Sequence, residues 1–237
     1  MTKNNEIVYL VIHARKNQTV EIQIHAETFL IDWGDLSFSW NDWPKSSPFI
    51  VGRHTYPVNG YYPVTITTQD LQEIDFSGCN CYGVAFENCR QIRKIVADNN
   101  RLLELPVTQC RKLTHLSCKG NRLKQLDIRG LSGLIHLDCA GNMLNNLLFG
   151  KNPRLSYLDC RGNRLKVLDI SCYNSLAYLN CGDNLLGKES LEKIFASVHR
   201  NSIPSSIRLT GNPGESKCNM KKLEKKGWDI NNEKMAA

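Results

Sequence analysis

Apolar residues follow two different periods along this chain, and the change between them falls near residue 70. Before it, runs of alternating apolar and polar residues from Ile7 to Ala14, Val20 to Ala26, Phe29 to Asp32 and Tyr62 to Thr67 are separated by turn-rich segments. Alternation of this kind predicts a small antiparallel β unit over residues 1–69. Beyond it, one aliphatic residue returns every 21 positions, as Leu71, Ile92, Leu113, Leu134, Leu155 and Leu176. A period of that length predicts a stack of similar coils.

The columns around those residues repeat in step. Three positions on come Ile74, Ile95, Leu116, Leu137, Leu158 and Leu179, and two further on Phe76, Ala97, Cys118, Cys139, Cys160 and Cys181. A polar column follows, Cys79, Asn100, Asn121, Asn142, Asn163 and Asn184, and then a last apolar one, Cys81, Leu102, Leu123, Leu144, Leu165 and Leu186. Such spacing describes a short strand whose alternate side chains point inward, then a turn where an Asn amide can satisfy backbone groups that no ladder reaches. The return segments carry inward pairs of their own: Leu105 with Val107, Leu126 with Ile128, Leu147 with Phe149, Leu168 with Ile170. Each large side chain contributes roughly 1.5–3 kcal/mol when fully buried, too little for one coil to offset its own ordering entropy. A stack of coils shares its core and can.

The pattern L-x-x-L-x-(L/C)-x-x-N-x-L over residues 71 to 187 resembles the leucine-rich repeat. Stretches such as LTHLSCKGNRLKQLDI and LSYLDCRGNRLKVLDI are similar to the short bacterial subtype common in Bacteroidetes. The first coil departs from the family pattern, since Cys79 stands where Asn is expected, and its turn is expected to be less regular. In the N-terminal unit, Ile31-Asp32-Trp33-Gly34-Asp35, His54-Thr55-Tyr56, Gly60-Tyr61 and Pro63-Val64-Thr65-Ile66-Thr67 resemble the immunoglobulin-like sandwich of the polycystic-kidney-disease (PKD) type. Leu36 replaces the glycine usual after the Asp, and an insertion with Trp40, Trp43 and Phe49 intervenes. The fold expected is therefore a β-dominated repeat protein: a small β-sandwich-like cap over residues 1–69, six parallel-stranded coils over 70–187 and a C-terminal cap over 188–237. In that last part, Leu191, Ile194, Phe195 and Val198 share one face of a helix expected from Gly187 to Arg200. A last strand around Ile207-Arg208-Leu209 follows, and Leu223 and Trp228 are expected to fold over the open end.

Composition narrows the function classes. Four of the ten cysteines occupy one inward column, Cys118, Cys139, Cys160 and Cys181, where neighbouring strands roughly 4.8 Å apart suit small buried thiols better than disulfide geometry. Cys79, Cys81, Cys89 and Cys110 lack the paired short spacing of a structural zinc module. The formal charge of +7 has one dense source, Lys217, Lys221, Lys222, Lys225 and Lys226, whose spacing with Glu224 fits the solvated side of a short helix rather than a nucleic-acid platform. The longest early apolar run, Ile7 to Ile12, is too short for a membrane span, and no cleavage pattern follows it. The expected location is the cytoplasm, or the cell surface if a leader has been removed. Hydrolase, metalloprotease, phosphate-loop and dinucleotide motifs are absent from the sequence, and an all-apolar coil interior offers few places to tune a catalytic group. No enzyme, cofactor or metal is assigned.

What remains is the outward side of the strands. One column reads Glu73, Lys94, His115, His136, Tyr157, Tyr178, and a second Asp75, Val96, Ser117, Asp138, Asp159, Asn180. Imidazoles and phenols bordered by carboxylates suit hydrogen-bonded, partly stacked contact with a protein or a glycan, so His115, His136, Tyr157, Tyr178, Asp138, Asp159 and Asn180 form the candidate partner-binding patch. The alternative is plain surface filling, with the same residues pairing only along the ladder. His115 and His136 beside Asp138 do not by themselves define a metal site. The family resemblance implies a bacterial surface or host-interaction role. A second reading is glycan binding through Trp40 and its neighbours, set against the simpler one in which those aromatics seal the junction with the first coil.

Overall fold

The computed structural model describes residues 5–40, 50–199 and 205–230. The N-terminal strands are β1 (Glu6–Ala14), β2 (Gln18–His25), β3 (Thr28–Asp32), β4 (Phe38–Trp40), β5 (Ile50–Tyr56) and β6 (Gly60–Gln69). They are followed by β7 (Glu73–Asp75), β8 (Cys81–Glu87), β9 (Lys94–Val96), β10 (His115–Ser117), β11 (Gln125–Asp127), β12 (His136–Asp138), β13 (Asn146–Leu148), β14 (Tyr157–Asp159) and β15 (Tyr178–Asn180). Helix α1 (Lys188–Ser197), β16 (Ser205–Arg208), a 3-10 turn at Glu215–Lys217, the short helix α2 (Lys221–Glu224) and β17 (Trp228–Ile230) follow among the described residues.

Among the described residues one sheet of ten strands runs the length of the molecule, in the order β17-β16-β15-β14-β12-β10-β9-β7-β2-β5. From β7 to β17 every pairing is parallel, whereas β2 pairs antiparallel with both β7 and β5. A second sheet, β4-β3-β6-β1-β8, lies over the β2–β5 end. Alternation explains the packing of these two sheets. Val8, Leu10, Ile12, Ile31, Val64 and Ile66 from one and Val20, Ile22 and Ile24 from the other are buried between them. Gly52 on β5 lets the sheets approach closely here, because a Cβ there would stand 2.5 Å from the Ile31 Cδ1 and Ile31 would have to shift.

The parallel strands are only three or four residues long, and their inward residues Ile74, Ile95, Leu116, Leu137, Leu158, Leu179 and Ile207 are all buried. So short a strand persists because the Asn column closes each turn. The Asn121 amide donates to the carbonyls of Ala97 (2.8 Å) and Cys118 (3.0 Å), while its oxygen accepts the Leu102 N–H (3.0 Å). Asn100, Asn142, Asn163, Asn184 and Asn212 do the same one coil apart. Each asparagine thus ties its own strand to the preceding coil at backbone groups the ladder leaves open. Immediately before every Asn, or before Cys79 in the first coil, a left-handed residue sets the direction of the chain: Gly78, Asn99, Gly120, Gly141, Gly162, Asp183 and Gly211 all have positive φ.

The first coil differs from the rest, for a reason visible in the neighbours it has. It has β2 beside it instead of a preceding coil, and the Cys79 thiol donates to the Glu21 carbonyl (3.2 Å). Its return segment becomes β8, which pairs with β1 and so belongs to the second sheet. The cysteines Cys118, Cys139, Cys160 and Cys181 are fully buried in one column, and all ten cysteines are free thiols. Burial pushes the Cys181 thiol up to about 12 and holds Cys139 and Cys160 well above the ordinary thiol value, so the column packs as neutral side chains.

At the far end, α1 buries Leu191, Ile194 and Phe195 against the stack, and Leu223 and Trp228 are buried beside it. The lysine run does not stay wholly in solvent. The Lys226 ammonium donates to the carbonyls of Phe195 (2.9 Å), Ala196 (2.9 Å) and Val198 (2.6 Å), closing the C-terminus of α1 where the helix dipole favours a cation. No helix among the described residues is long and apolar enough to cross a membrane.

Candidate functional site

The strand register brings the predicted residues into two lines. His115, His136, Tyr157 and Tyr178 are directly paired across β10, β12, β14 and β15, as are Ser117, Asp138, Asp159 and Asn180 two positions on. Parallel strands about 4.8 Å apart put successive rings at stacking distance. The ring centroids of His115 and His136 are 5.8 Å apart, those of His136 and Tyr157 4.1 Å, and those of Tyr157 and Tyr178 4.4 Å, with the last pair tilted by only 5°. The Arg208 guanidinium closes the line 5.8 Å from the Tyr178 ring. Since neighbouring rings occupy each other's faces, this rail offers its edges, imidazole nitrogens and phenol oxygens, to whatever approaches.

Carboxylates run beside the rail. Asp138 and Asp159, at the ends of β12 and β14, each accept the backbone N–H two residues on, from Ala140 (3.1 Å) and Arg161 (3.0 Å), which fixes their side chains. Lys119 stands between two acids, 3.4 Å from Asp98 and 3.8 Å from Asp138, and the Asp98 charge foremost raises its pKa. Burial holds Asp138 and Asp159 above the usual carboxylate value. It also lowers His136, with the His115 ring and Lys119 acting in the same direction, so that imidazole is neutral near pH 7.

Two of the seven predicted residues are not surface groups. Tyr178 is 7% exposed and Asn180 3%, in contrast with the exposed His115 and the partly exposed His136, Tyr157, Asp138 and Asp159. The reason is local: Tyr178 is held between the Tyr157 ring and Arg208, and the Asn180 amide donates to Asp159 (3.1 Å) while its oxygen accepts the Gly182 N–H (3.3 Å). They position the patch and do not form its surface. Sequence reasoning missed Arg208, although it extends the Asp138–Asp159–Asn180 column by one rung. The step from Tyr178 to its paired residue Ser206 is 28 positions instead of 21, so the periodic reading stops short of it.

The same face continues into the N-terminal sandwich through His25, whose ring is 3.8 Å from Glu73, and through the Arg53–Glu21 ion pair (2.8 Å). The motif residues of that unit form one cluster: the Trp33 ring stacks on His54, the His54 Nε2 meets the Asp35 carboxylate at 2.7 Å, and the Tyr56 hydroxyl donates to the Trp33 carbonyl (3.1 Å). Trp33 is a core residue. Trp40 does not seal the junction with the first coil: it is 60% exposed on β4, at the outer edge of the second sheet. Trp43 and Phe49 lie outside the described residues. No group of three or more His, Cys, Asp or Glu residues suited to a metal occurs among the described residues.

No family model and no curated protein matches the chain. Among solved structures, one described as the functional domain of InlJ from Listeria monocytogenes, which includes a cysteine ladder, is similar at 24% sequence identity. The match covers 62% of this chain and 29% of that one, with a TM-score of 0.46.

Proposed function

We propose that this chain is a non-catalytic recognition module, a leucine-rich repeat solenoid of 21-residue coils that captures a protein partner on its strand face. A PKD-like sandwich over residues 1–69 covers one end of the coils at 70–187, and residues 188–237 cover the other. One observation carries the reading: five accessible side chains, His115, His136, Tyr157, Asp138 and Asp159, are held in two straight lines by strand register, with the two carboxylates partly buried. At about 4.8 Å per strand, the ten-stranded face is about 43 Å long, the scale of a protein footprint rather than of a small ligand.

The test compares captured proteins for three forms of the chain: unchanged, substituted to alanine at those five positions, and substituted at Lys112 and Arg129 away from the strand face. Partner capture is expected to disappear only in the five-site variant, with the far-ultraviolet spectrum unchanged. An identical capture profile for all three forms refutes the assignment of the face.

A further inference from the structure

The two sheets of the N-terminal unit treat water differently. On the outward side of β2 and β5, Thr19 is bonded to Thr55 (2.8 Å) and Glu21 to Arg53, the polar pattern of a solvated sheet. On the outward side of β4-β3-β6-β1-β8 the cross-strand rows read Trp40–Leu30–Thr67–Ile7–Glu87, Phe38–Asp32–Thr65–Tyr9–Ala85 and Pro63–Val11–Gly83, then Tyr61–His13 at the end. Among the described residues of these rows, Asp32 and Glu87 are the only acids. Phe38 is 51% exposed and Tyr61 62%, and Leu30, Tyr9 and Val11 are exposed as well. A face this apolar and continuous is atypical of a sheet that works in water.

We infer that this sheet face is the contact surface of a homodimer, two copies packing it face to face about a two-fold axis. Its size and its charges both fit a second copy. Five strands about 4.8 Å apart and some six residues long at about 3.3 Å each cover on the order of 500 Å² per copy, or about 1,000 Å² in all, the lower limit for a specific interface. A two-fold axis lying across the strands reverses their direction while keeping β8 over β8. Glu87, at one end of the face, then meets the opposite end of the other copy, where the Arg101 guanidinium lies over the Tyr82 ring (5.4 Å) next to the His13–Tyr61 pair. Each copy supplies both partners of that contact, so one dimer makes it twice, as an isologous interface requires. This surface is separate from the strand face, and its test does not depend on the partner proposed there.

Sedimentation velocity on the full chain between about 1 and 500 μM reads the outcome, and a dissociation constant in the micromolar range is expected for an interface this small. Val11→Lys and Thr67→Lys, both at outward positions, should each weaken association at least tenfold while circular dichroism and the thermal midpoint stay unchanged. Using two sites guards against one variant misfolding. Glu87→Arg should weaken it too, and Glu87→Arg with Arg101→Glu should restore it. A monomer throughout this range overturns the inference, as does a dimer indifferent to both lysine variants. Saccharide binding by a monomer in a Trp40-dependent manner on a glycan array overturns it as well, and assigns the face to sugar.

Discussion

Asn142 sits in the middle of the coil stack, and its replacement measures what the asparagine column contributes. Its amide donates to Cys118 (2.9 Å), Cys139 (3.1 Å) and Ala140 (3.3 Å), and its oxygen accepts the Leu123 N–H (3.0 Å). The three carbonyls keep other donors in Asn142→Ala: Asn121 still reaches Cys118, Asn163 still reaches Cys139, and the Gly120 N–H still reaches Ala140. Only the Leu123 N–H loses its sole partner. One orphaned buried donor costs about 1–3 kcal/mol and each thinned carbonyl a few tenths, giving a loss of about 2–4 kcal/mol. Asn142→Asp retains an acceptor for Leu123 but loses the donors and places a carboxylate against carbonyl oxygens, so it should cost more than alanine at neutral pH. Its folded-state pKa would be raised, and the excess penalty should therefore shrink as pH falls through that value and the acid regains a proton to donate. Urea unfolding of the three proteins at pH 7 and pH 5 decides, with amide exchange at Leu123 as the local probe. A smaller m value would show that the stack has split at this coil. A loss below about 0.5 kcal/mol for alanine, or an aspartate tolerated better than alanine at pH 7, would refute the reasoning.

Leu36 is the one positive-φ residue among those described that is neither Gly, Asn nor Asp, with φ 70° and 94% exposure, so Leu36→Gly should raise stability by about 0.5–1 kcal/mol in a denaturant titration. Lys226→Met removes the cation from the three carbonyls at the end of α1 and should lower stability by about 1–2 kcal/mol, an effect that 1 M salt should not abolish because the contact is direct. Burial raises the Asp35 carboxyl, but hydrogen bonds from Ser37 and His54 and the His54 charge outweigh it and hold the pKa low. This stability is complete above the unfolded carboxylate value and lost as pH falls through the folded one, so Asp35→Asn should flatten the acid limb of the pH–stability curve. Asp138 has the opposite sign: its raised pKa means ionisation destabilises the fold, fully so above the folded value. Asp138→Asn should therefore stabilise the chain at pH 7, with a gain that shrinks on acidification, while weakening partner capture.

Strand centres, the asparagine turns and helix α1 were legible because each depends on short-range spacing. The helix expected from Gly187 to Arg200 is observed over Lys188–Ser197, and its apolar face is the one buried. Three features were not legible, and each depends on what lies beside a segment rather than on the segment itself. The residues of β8 fall inside the 21-residue phase, yet they pair with β1 because the first coil has a sandwich for a neighbour; Cys79 in place of Asn was the signal. Burial of Tyr178 and Asn180 follows from Arg208 and Asp159, contacts that cross a break in the period. Lys226 belongs to an ordinary charge run until the C-terminus of α1 is placed against it.

A stack of coils separates two demands that compact folds mix. Inward positions and the asparagine fix each strand, so the outward residues of that strand can change without disturbing the core. Freedom of this kind usually yields soluble, well-paired side chains. Along β12 and β14 the outcome is mixed: Asp138 and Asp159 are partly buried one rung apart, and burial outweighs the neighbouring cations, Lys119 at 3.8 Å from Asp138 and the Arg161 and Arg208 charges acting on Asp159, so both carboxyls stay above the usual value. Asn180 shows that the next rung up carries the amide and hydrogen-bonds Asp159 with it. Two carboxyls whose ionisation burial disfavours, even with their backbone hydrogen bonds and nearby cations, are a cost to the fold. On the proposed reading, a partner cation brought against them would gain from the same low-dielectric setting that disfavours the free acids. On this argument the partner surface that meets β12 and β14 carries Lys or Arg.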